Sequence, residues 1–201
     1  MKYLTVLFLL ISSTCFGQTF KEQIAKHREA YKADFIKDTR SPLKEADLKH
    51  LHFYHADSSY KVSAEVILLE NQKVFKMPTY AGTTADYIRY ANLKFELNGK
   101  PLQLTLYKSI ALSANPAYKD YLFLPFTDQT NKKETYGGGR YIDLKSTEIK
   151  KGKIELDFNK AYNPYCAYSD GYRCPIPPEE NDLATSILAG EKLFTGEKKH
   201  N

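Results

Sequence analysis

Tyr60-Lys61-Val62-Ser63-Ala64-Glu65-Val66-Ile67-Leu68-Leu69 alternates between polar and apolar side chains along most of its length. The same period of two recurs in Leu93-Lys94-Phe95-Glu96-Leu97 and in Leu102-Gln103-Leu104-Thr105-Leu106-Tyr107. Alternation places successive side chains on opposite faces of a strand, so these segments predict β-strands with one buried face. Asn98-Gly99 lies between the last two segments, and both residues tolerate the positive φ angles of a tight hairpin turn.

Further strands are predicted toward the C-terminus, together with a second turn at Lys151-Gly152. They cover Tyr121 to Phe126, Arg140 to Leu144 and Lys153 to Phe158. Six or more strands with short connections favour a mainly β fold, either an antiparallel sandwich or a barrel-like sheet.

One amphipathic helix is predicted at about residues 20–38, ahead of the strands. Apolar and aromatic side chains recur there at steps of three or four, at Phe20, Ile24, His27, Tyr31 and Phe35. That spacing marks one face of a helix, and Ser41-Pro42 ends it.

The first 17 residues have the order of a secretion signal. A lysine is followed by the apolar run Leu4 to Ile11 and by small residues up to Gly17. We expect cleavage after Gly17, a single β-rich domain at 18–201, and a periplasmic or secreted protein. The apolar run is shorter than the roughly 20 residues of a membrane span, so the mature chain is not expected to insert. Lipidation at Cys15 is the alternative, but Thr14 is bulkier than the residue that usually precedes a lipidated cysteine.

The formal net charge of +5 does not indicate nucleic-acid binding. The basic residues are mostly lysines scattered among 24 acidic residues, whereas nucleic-acid surfaces cluster arginine and lysine. We therefore expect a solvated lysine-rich surface and no nucleic-acid partner.

Cys166 and Cys174 remain as an even pair once the signal is removed. In an oxidising compartment such a pair is expected to form a disulfide. The alternative, a reactive thiol, lacks both a C-x-x-C spacing and an adjacent base in the sequence.

The unusual residues of the chain are concentrated between Leu124 and Glu191. They fall in the segments 124–141 (LPFTDQTNKKETYGGGRY), 157–168 (DFNKAYNPYCAY), 174–181 (CPIPPEEN) and 189–192 (AGEK). With Arg28 and Ser41-Pro42-Leu43, these segments resemble the bacterial and archaeal family catalogued as domain of unknown function 1684. The resemblance implies membership of that family and no particular activity. This chain departs from the pattern at Lys132, where glycine is usual, and near His50 to His55.

Gly137, Gly138, Gly139 and Arg140 suggest an anion site. Consecutive glycines expose backbone N–H groups, and a guanidinium binds carboxylate or phosphate through two bonds. The alternative is a glycine bulge with Arg140 paired to an internal carboxylate. The run matches neither a P-loop nor a dinucleotide-binding pattern, so no cofactor is expected.

Three carboxylates are candidates for acid–base chemistry, namely Asp128, Glu134 and Asp157. The alternative is that they cap turns and balance Arg140. His50, His52 and His55 form an H-x-H-x-x-H run, but it lies far from the glycines in sequence, and no metal site is predicted.

An aromatic loop near the C-terminus is the other candidate region for ligand binding. Tyrosines gather there beside amide side chains, at Tyr162, Tyr165, Tyr168, Tyr172, Asn159 and Asn163. Aromatic faces with amides suit sugars and other polar ring-bearing ligands, and Tyr141 belongs to the same candidate site. The alternative is a loop packed by its own tyrosines.

Three functions remain open from the sequence. The preferred one is binding of a small polar or anionic ligand at the glycine-rich region, Arg140 and the tyrosine–asparagine loop. The second is a hydrolase or lyase with Glu134 or Asp128 as acid or base and Arg140 stabilising negative charge. The third is a structural interaction with an envelope partner.

Overall fold

The computed structural model describes residues 19–200, so the predicted signal peptide at 1–17 lies outside the described residues. Within them no helix is long and apolar enough to cross a membrane. The α-helices are α1 (Phe20–Lys37) and α2 (Ile110–Ser113). The strands are β1 (Lys61–Leu68), β2 (Phe75–Pro78), β3 (Thr84–Leu97), β4 (Lys100–Ser109), β5 (Tyr121–Asp128), β6 (Arg140–Lys145), β7 (Lys153–Asp157) and β8 (Asp182–Leu183).

Helix α1 begins with a reciprocal cap. The Thr19 side chain accepts a hydrogen bond from the Glu22 amide, and the Glu22 carboxylate accepts one from the Thr19 amide at 2.8 Å. This capping box satisfies two amides that the helix itself leaves without partners. The predicted N-terminal helix is confirmed, and it ends at Lys37, before Ser41-Pro42.

The eight strands form one curled sheet, a half-barrel. Its main order is β6-β5-β4-β3-β1-β7 with antiparallel neighbours, while β2 pairs with β3 and β8 runs parallel to β5. Beyond β7 the chain reaches the opposite edge, where Tyr162 and Tyr141 of β6 exchange two backbone hydrogen bonds of 2.9 and 3.0 Å. The mainly β prediction is confirmed in its barrel-like form.

Apolar side chains cover both faces of the sheet. The main core contains Leu104, Leu106, Leu122 and Phe126, all fully buried. The alternating positions point to the other face, where Tyr107 and other aromatic residues form a second cluster. Helix α1 and the tyrosine-rich 160–175 segment lie on this second face, close to β6.

Positive φ angles occur at both predicted turns and at one further lysine. Asn98 and Gly99 have φ of 53° and 73°, and Lys151 and Gly152 have 51° and 73°. Lys132 has φ of 66°. L-residues other than glycine adopt this left-handed region at a cost, so the glycine that the family resemblance implies at the position of Lys132 would suit this backbone conformation.

Candidate functional site

Arg140 is fully buried and donates its hydrogen bonds inside the protein. Its Nη2 lies 2.8 Å from Asp128 Oδ2 and 2.9 Å from the Ile187 carbonyl oxygen, and Nη1 donates to the carbonyls of Ala189 and Glu191. Charge-assisted bonds to three carbonyls tie the 187–191 segment to the sheet. This geometry agrees with the alternative drawn from the sequence, in which Arg140 is paired with an internal carboxylate.

The glycines before Arg140 make room for close packing. Gly139 has φ of 86°, and a β-carbon there would lie 2.6 Å from the Phe126 carbonyl oxygen. A β-carbon on Gly138 would lie 2.6 Å from the Tyr80 hydroxyl, which donates to the Gly138 carbonyl. Gly137 is restricted only by the flexible Lys132 side chain. Two of the three glycines are therefore required where the chain enters β6.

The predicted carboxylates do not converge on one cleft. Asp128 is buried in the pair with Arg140, whereas Glu134 is exposed and accepts a bond from the Tyr54 hydroxyl at 3.2 Å. The Asp157 carboxylate accepts two bonds from Asn159, at 3.0 and 2.9 Å.

The two predicted asparagines also bond within the protein. The side-chain amide of Asn159 donates to the Asp57 carbonyl at 2.8 Å, and that of Asn163 donates to the Lys192 carbonyl at 2.8 Å. Both are buried, so they hold chain segments together beside the aromatic loop.

An open cleft of about 600 Å³ lies between α1, β6 and the 160–175 segment. This volume lies within the range of about 300–1,000 Å³ typical of small-molecule sites. Five tyrosines line it, namely Tyr31, Tyr141, Tyr162, Tyr165 and Tyr172. Tyr141 and Tyr162 were predicted as ligand-binding residues, and the structure brings them together here.

The hydroxyls of these five tyrosines all bond to the protein. Tyr31 donates to the Glu191 carboxylate, Tyr141 to the Pro175 carbonyl and Tyr162 to the Asp143 carboxylate. Tyr165 donates to the Asp38 carboxylate, and Tyr172 donates to the Arg40 carbonyl. Bonded hydroxyls fix the orientation of the rings. The cleft wall is therefore an ordered set of aromatic surfaces whose own donors are occupied.

Helix α1 forms one long wall of the cleft. His27, Ala30, Tyr31, Asp34 and Phe35 line it, at the three- and four-residue steps of a single helix face. Eight residues at 1.5 Å each give this wall a length of about 12 Å. His27 and Phe35 thus mark opposite ends of the cleft.

Asp143 is the carboxylate that β6 contributes to the cleft, on the same face of the strand as Tyr141. Its Oδ1 accepts hydrogen bonds from the hydroxyls of Tyr121 at 2.8 Å and Tyr162 at 2.7 Å. Its Oδ2 has no hydrogen-bond partner among residues 19–200, and the side chain keeps its exposed surface toward the cleft. The protein atoms crowded around this carboxyl raise its pKa, and the two tyrosine bonds partly oppose the rise.

A buried layer supports the helix side of the cleft. Glu191 has no exposed surface and accepts bonds from the hydroxyls of Tyr31 at 2.9 Å and Tyr168 at 2.6 Å, and from the Asn163 amide at 2.9 Å. Burial raises the pKa of Glu191 to about 7. Tyr168 therefore lies behind the cleft, where it helps to fix Tyr31.

Cys166 and Cys174 lie at bonding distance, with their Cα atoms 6.2 Å apart. Tyr172, Arg173, Cys174 and Pro175 line the cleft on this side. The cysteine pair therefore holds one wall of the cleft. The predicted histidine run lies elsewhere: His50 and His52 both approach the Thr195 hydroxyl, at 3.4 and 2.9 Å.

The sequence interpretation missed five charged or titratable side chains of the cleft: Asp143, His27, Asp34, Lys160 and Arg173. For Asp143 a signal was present, since alternation in Tyr141-Ile142-Asp143 puts the tyrosine and the aspartate on one face of β6. For Lys160 and Arg173 we find no such signal.

The fold and the cleft define a class: a half-barrel β domain with a tyrosine-lined cleft between its N-terminal helix and one sheet edge. The chain belongs to the family described as protein of unknown function (DUF1684), whose model matches residues 46–192. It is similar to the uncharacterized protein from gene locus rrnAC0354 of Haloarcula marismortui, solved by solution NMR. The two chains are 32% identical, with a TM-score of 0.65, over 88% of this chain and 97% of the other. No curated protein matches.

Proposed function

We propose that this protein is an exported binding domain that holds a small polar, ring-bearing ligand in the tyrosine-lined cleft. The observation that carries the proposal is Asp143, which lines the open cleft. Its Oδ1 is fixed by two tyrosine hydroxyls, while its Oδ2 has no hydrogen-bond partner among the residues that the structure describes. An oriented acceptor among aromatic surfaces is the usual arrangement of a specific small-molecule site.

The cleft chemistry restricts the ligand. The five tyrosine hydroxyls are engaged with the protein, so the rings offer mainly apolar surface. A ligand therefore needs a ring or C–H face for stacking, and a hydroxyl or amine that donates to Asp143 Oδ2. Sugars, cyclic polyols and nucleosides have both features.

The catalytic alternative gains less from the geometry. Asp128 forms a buried ion pair with Arg140, Glu134 is on the surface, and neither residue lines the cleft. A hydrolase or lyase that used this pair would need a substrate to reach two separate places.

Export is part of the proposal and rests on the sequence of residues 1–17. The Cys166–Cys174 pair at bonding distance supports it, because disulfides persist in oxidising compartments. A binding domain in the periplasm or outside the cell would meet small polar nutrients and wall fragments of this chemical class.

The test is a thermal-shift screen of sugars, polyols and nucleosides on the mature protein, followed by calorimetry of the hits. A ligand at 100 times its dissociation constant adds about 2.7 kcal/mol to the free energy of unfolding, which is readily measured. We expect Asp143→Asn to weaken binding about tenfold, as the loss of one charge-assisted hydrogen bond implies.

Glu96→Gln is the matched control, because Glu96 is exposed on β3, away from the cleft. It should bind like the wild type. Equal affinity of hits for wild type and Asp143→Asn, or a screen without any binder, would refute the proposal.

A further inference from the structure

One end of the cleft is basic. His27 of α1 and Lys160, the last residue of a short 3-10 helix after β7, line the cleft at this end. The Lys160 side chain is exposed and forms no ion pair within residues 19–200. At the other end of the same helix wall lie Asp34 and Phe35, about 10 Å or more from His27 along the axis.

Arg28 lies next to this basic end and adds positive charge to it. Its guanidinium carbon lies 4.7 Å from the centroid of the Phe53 ring, within the distance of a cation–π contact. Its Nε and Nη2 are buried and have no hydrogen-bond partner. Buried guanidinium N–H groups without an acceptor are costly, and most such groups in proteins are satisfied.

The unpaired N–H groups adjoin a small cavity. It has a volume of about 10 Å³ and is lined by Arg28 and Phe53, together with residues that also line the main cleft. The shared residues are His27, Tyr31, Lys160 and Tyr162. Asn159 and Ala161 complete the lining of the small cavity, and Arg28 does not line the cleft itself.

The local charge is positive. Asp157 is the acidic group that acts on both His27 and Arg28, and its Oδ1 is already bonded twice by Asn159. Arg28 and Lys160 carry one charge each against this single carboxylate, which leaves an excess of one positive charge before His27 is protonated. Burial is the main cause that lowers the pKa of His27, followed by the charge of Lys160.

We propose that this basic end, formed by His27, Lys160 and Arg28, binds an oxyanion of the ligand, a phosphate or a carboxylate group. The inference rests on the proposed function and narrows the ligand to a ring-bearing compound with an acidic substituent. The ring stacks on the tyrosines, its hydroxyl or amine donates to Asp143, and the acidic group lies beside His27.

Proton uptake follows from this arrangement. The groups that face His27 are Lys160, Asp157, Arg28, Tyr31 and Tyr162. An anion beside His27 opposes the effect of Lys160 and Arg28 and favours the imidazolium form, so the pKa of His27 rises when the anion binds. Affinity for the anion is then higher below the pKa of His27 than above it.

The experiment is an NMR titration of the histidine side chains of the full mature protein, with inorganic phosphate in one arm and acetate in the other, at matched ionic strength. We expect at least one of the two anions to shift His27 in a saturable manner and to raise its pKa. His52 bonds the Thr195 hydroxyl and does not line the cleft, so its resonances should show no saturable change. An unchanged pKa of His27 in both arms would overturn the proposal.

Two variants separate a specific site from general charge effects. Lys160→Gln should weaken binding of the anion about tenfold, the factor expected for one lost charge-assisted contact. Lys100→Gln removes an exposed charge on β4 and should bind as the wild type does. Equal weakening in both variants would also overturn the proposal.

The outcome is distinguishable from the test of the proposed function. If screened ligands bind and depend on Asp143 but not on Lys160, the binding function stands and the oxyanion site fails. If phosphate or acetate shifts His27 while no ring-bearing ligand depends on Asp143, the anion site stands without the proposed function.

Discussion

Arg140 Nη2 and Asp128 Oδ2 are 2.8 Å apart, and neither side chain has exposed surface. A pair of this kind is stabilising only as a unit, because removal of one partner leaves the other charged and buried. Its position between β5 and β6 makes it the central polar contact of that sheet edge.

Arg140→Ala is therefore expected to lower the free energy of unfolding by about 3 to 5 kcal/mol. Arg140→Lys should also destabilise, since lysine keeps the charge but loses the planar group that reaches four acceptors. Urea denaturation measures both. Arg40→Lys is the control, because Arg40 forms only an exposed pair with Asp38 and its replacement should leave stability nearly unchanged. Near-wild-type stability of Arg140→Ala would contradict the assignment.

Glu191 should make stability depend on pH. Its pKa is raised from 4.5 to about 7 in the folded protein, so the native state holds a proton that the unfolded state releases. The stabilisation is complete below about pH 4.5 and is lost as pH rises through 7, a decrease of about 3 kcal/mol.

Glu191→Gln cannot titrate, which makes it the reference for this effect. Denaturation curves from pH 4 to 8 should show the wild type losing stability relative to Glu191→Gln as pH rises. A constant difference between the two proteins, or the opposite slope, would be inconsistent with a raised pKa.

The Cys166–Cys174 pair is expected to be a disulfide that maintains the cleft wall. Mass spectrometry of unreduced, freshly isolated protein should detect no free thiol in the mature chain. In the chain-entropy description the short loop contributes about 2 to 3 kcal/mol. Reduction of the pair, or the double variant Cys166→Ser with Cys174→Ser, should weaken ligand binding, since residues 172–175 line the cleft. The structure on the far side of the sheet should change less. Two alkylatable cysteines in native protein would disprove the bridge.

Export predicts a defined N-terminus. Protein purified from its native host should begin at Gln18 or close to it, because cleavage is expected after Gly17. N-terminal peptide mass spectrometry checks this directly. Soluble cytoplasmic protein that retains Met1 would be decisive against it, and an acylated Cys15 would favour the lipoprotein alternative.

The strands with clean alternation were predictable, and so was β5, although its burial does not alternate. The segment from Tyr60 to Leu69 became β1 with nearly the same bounds, and Asn98-Gly99 formed the predicted turn. Residues 84–92 of β3 and all of β2 and β8 were missed. In β3 the register shifts between Arg89 and Ala91, and side chains on both faces are partly covered, so no period of two appears there.

The candidate site was only partly accessible to sequence reasoning. Tyr141 and Tyr162 were found because aromatic residues beside asparagines suggest binding. The role of Arg140 was left open, since a sequence cannot show that its acceptors are carbonyls of a distant segment. Lys160 was missed for a related reason: only the packing of α1 against the end of β7 brings it to His27.

The carbonyls that bind Arg140 have a further consequence for biosynthesis. They follow it in the chain by 47, 49 and 51 residues. When Arg140 leaves the ribosome, about 50 more residues must be translated before its acceptors exist, and until then burial of the guanidinium is unfavourable. The buried contacts of Arg140 at the sheet edge formed by β5 and β6 therefore cannot be completed early in synthesis of the polypeptide. Such a delay suits the export that we propose, because it prolongs the time in which a secretion channel could take up the unfolded chain.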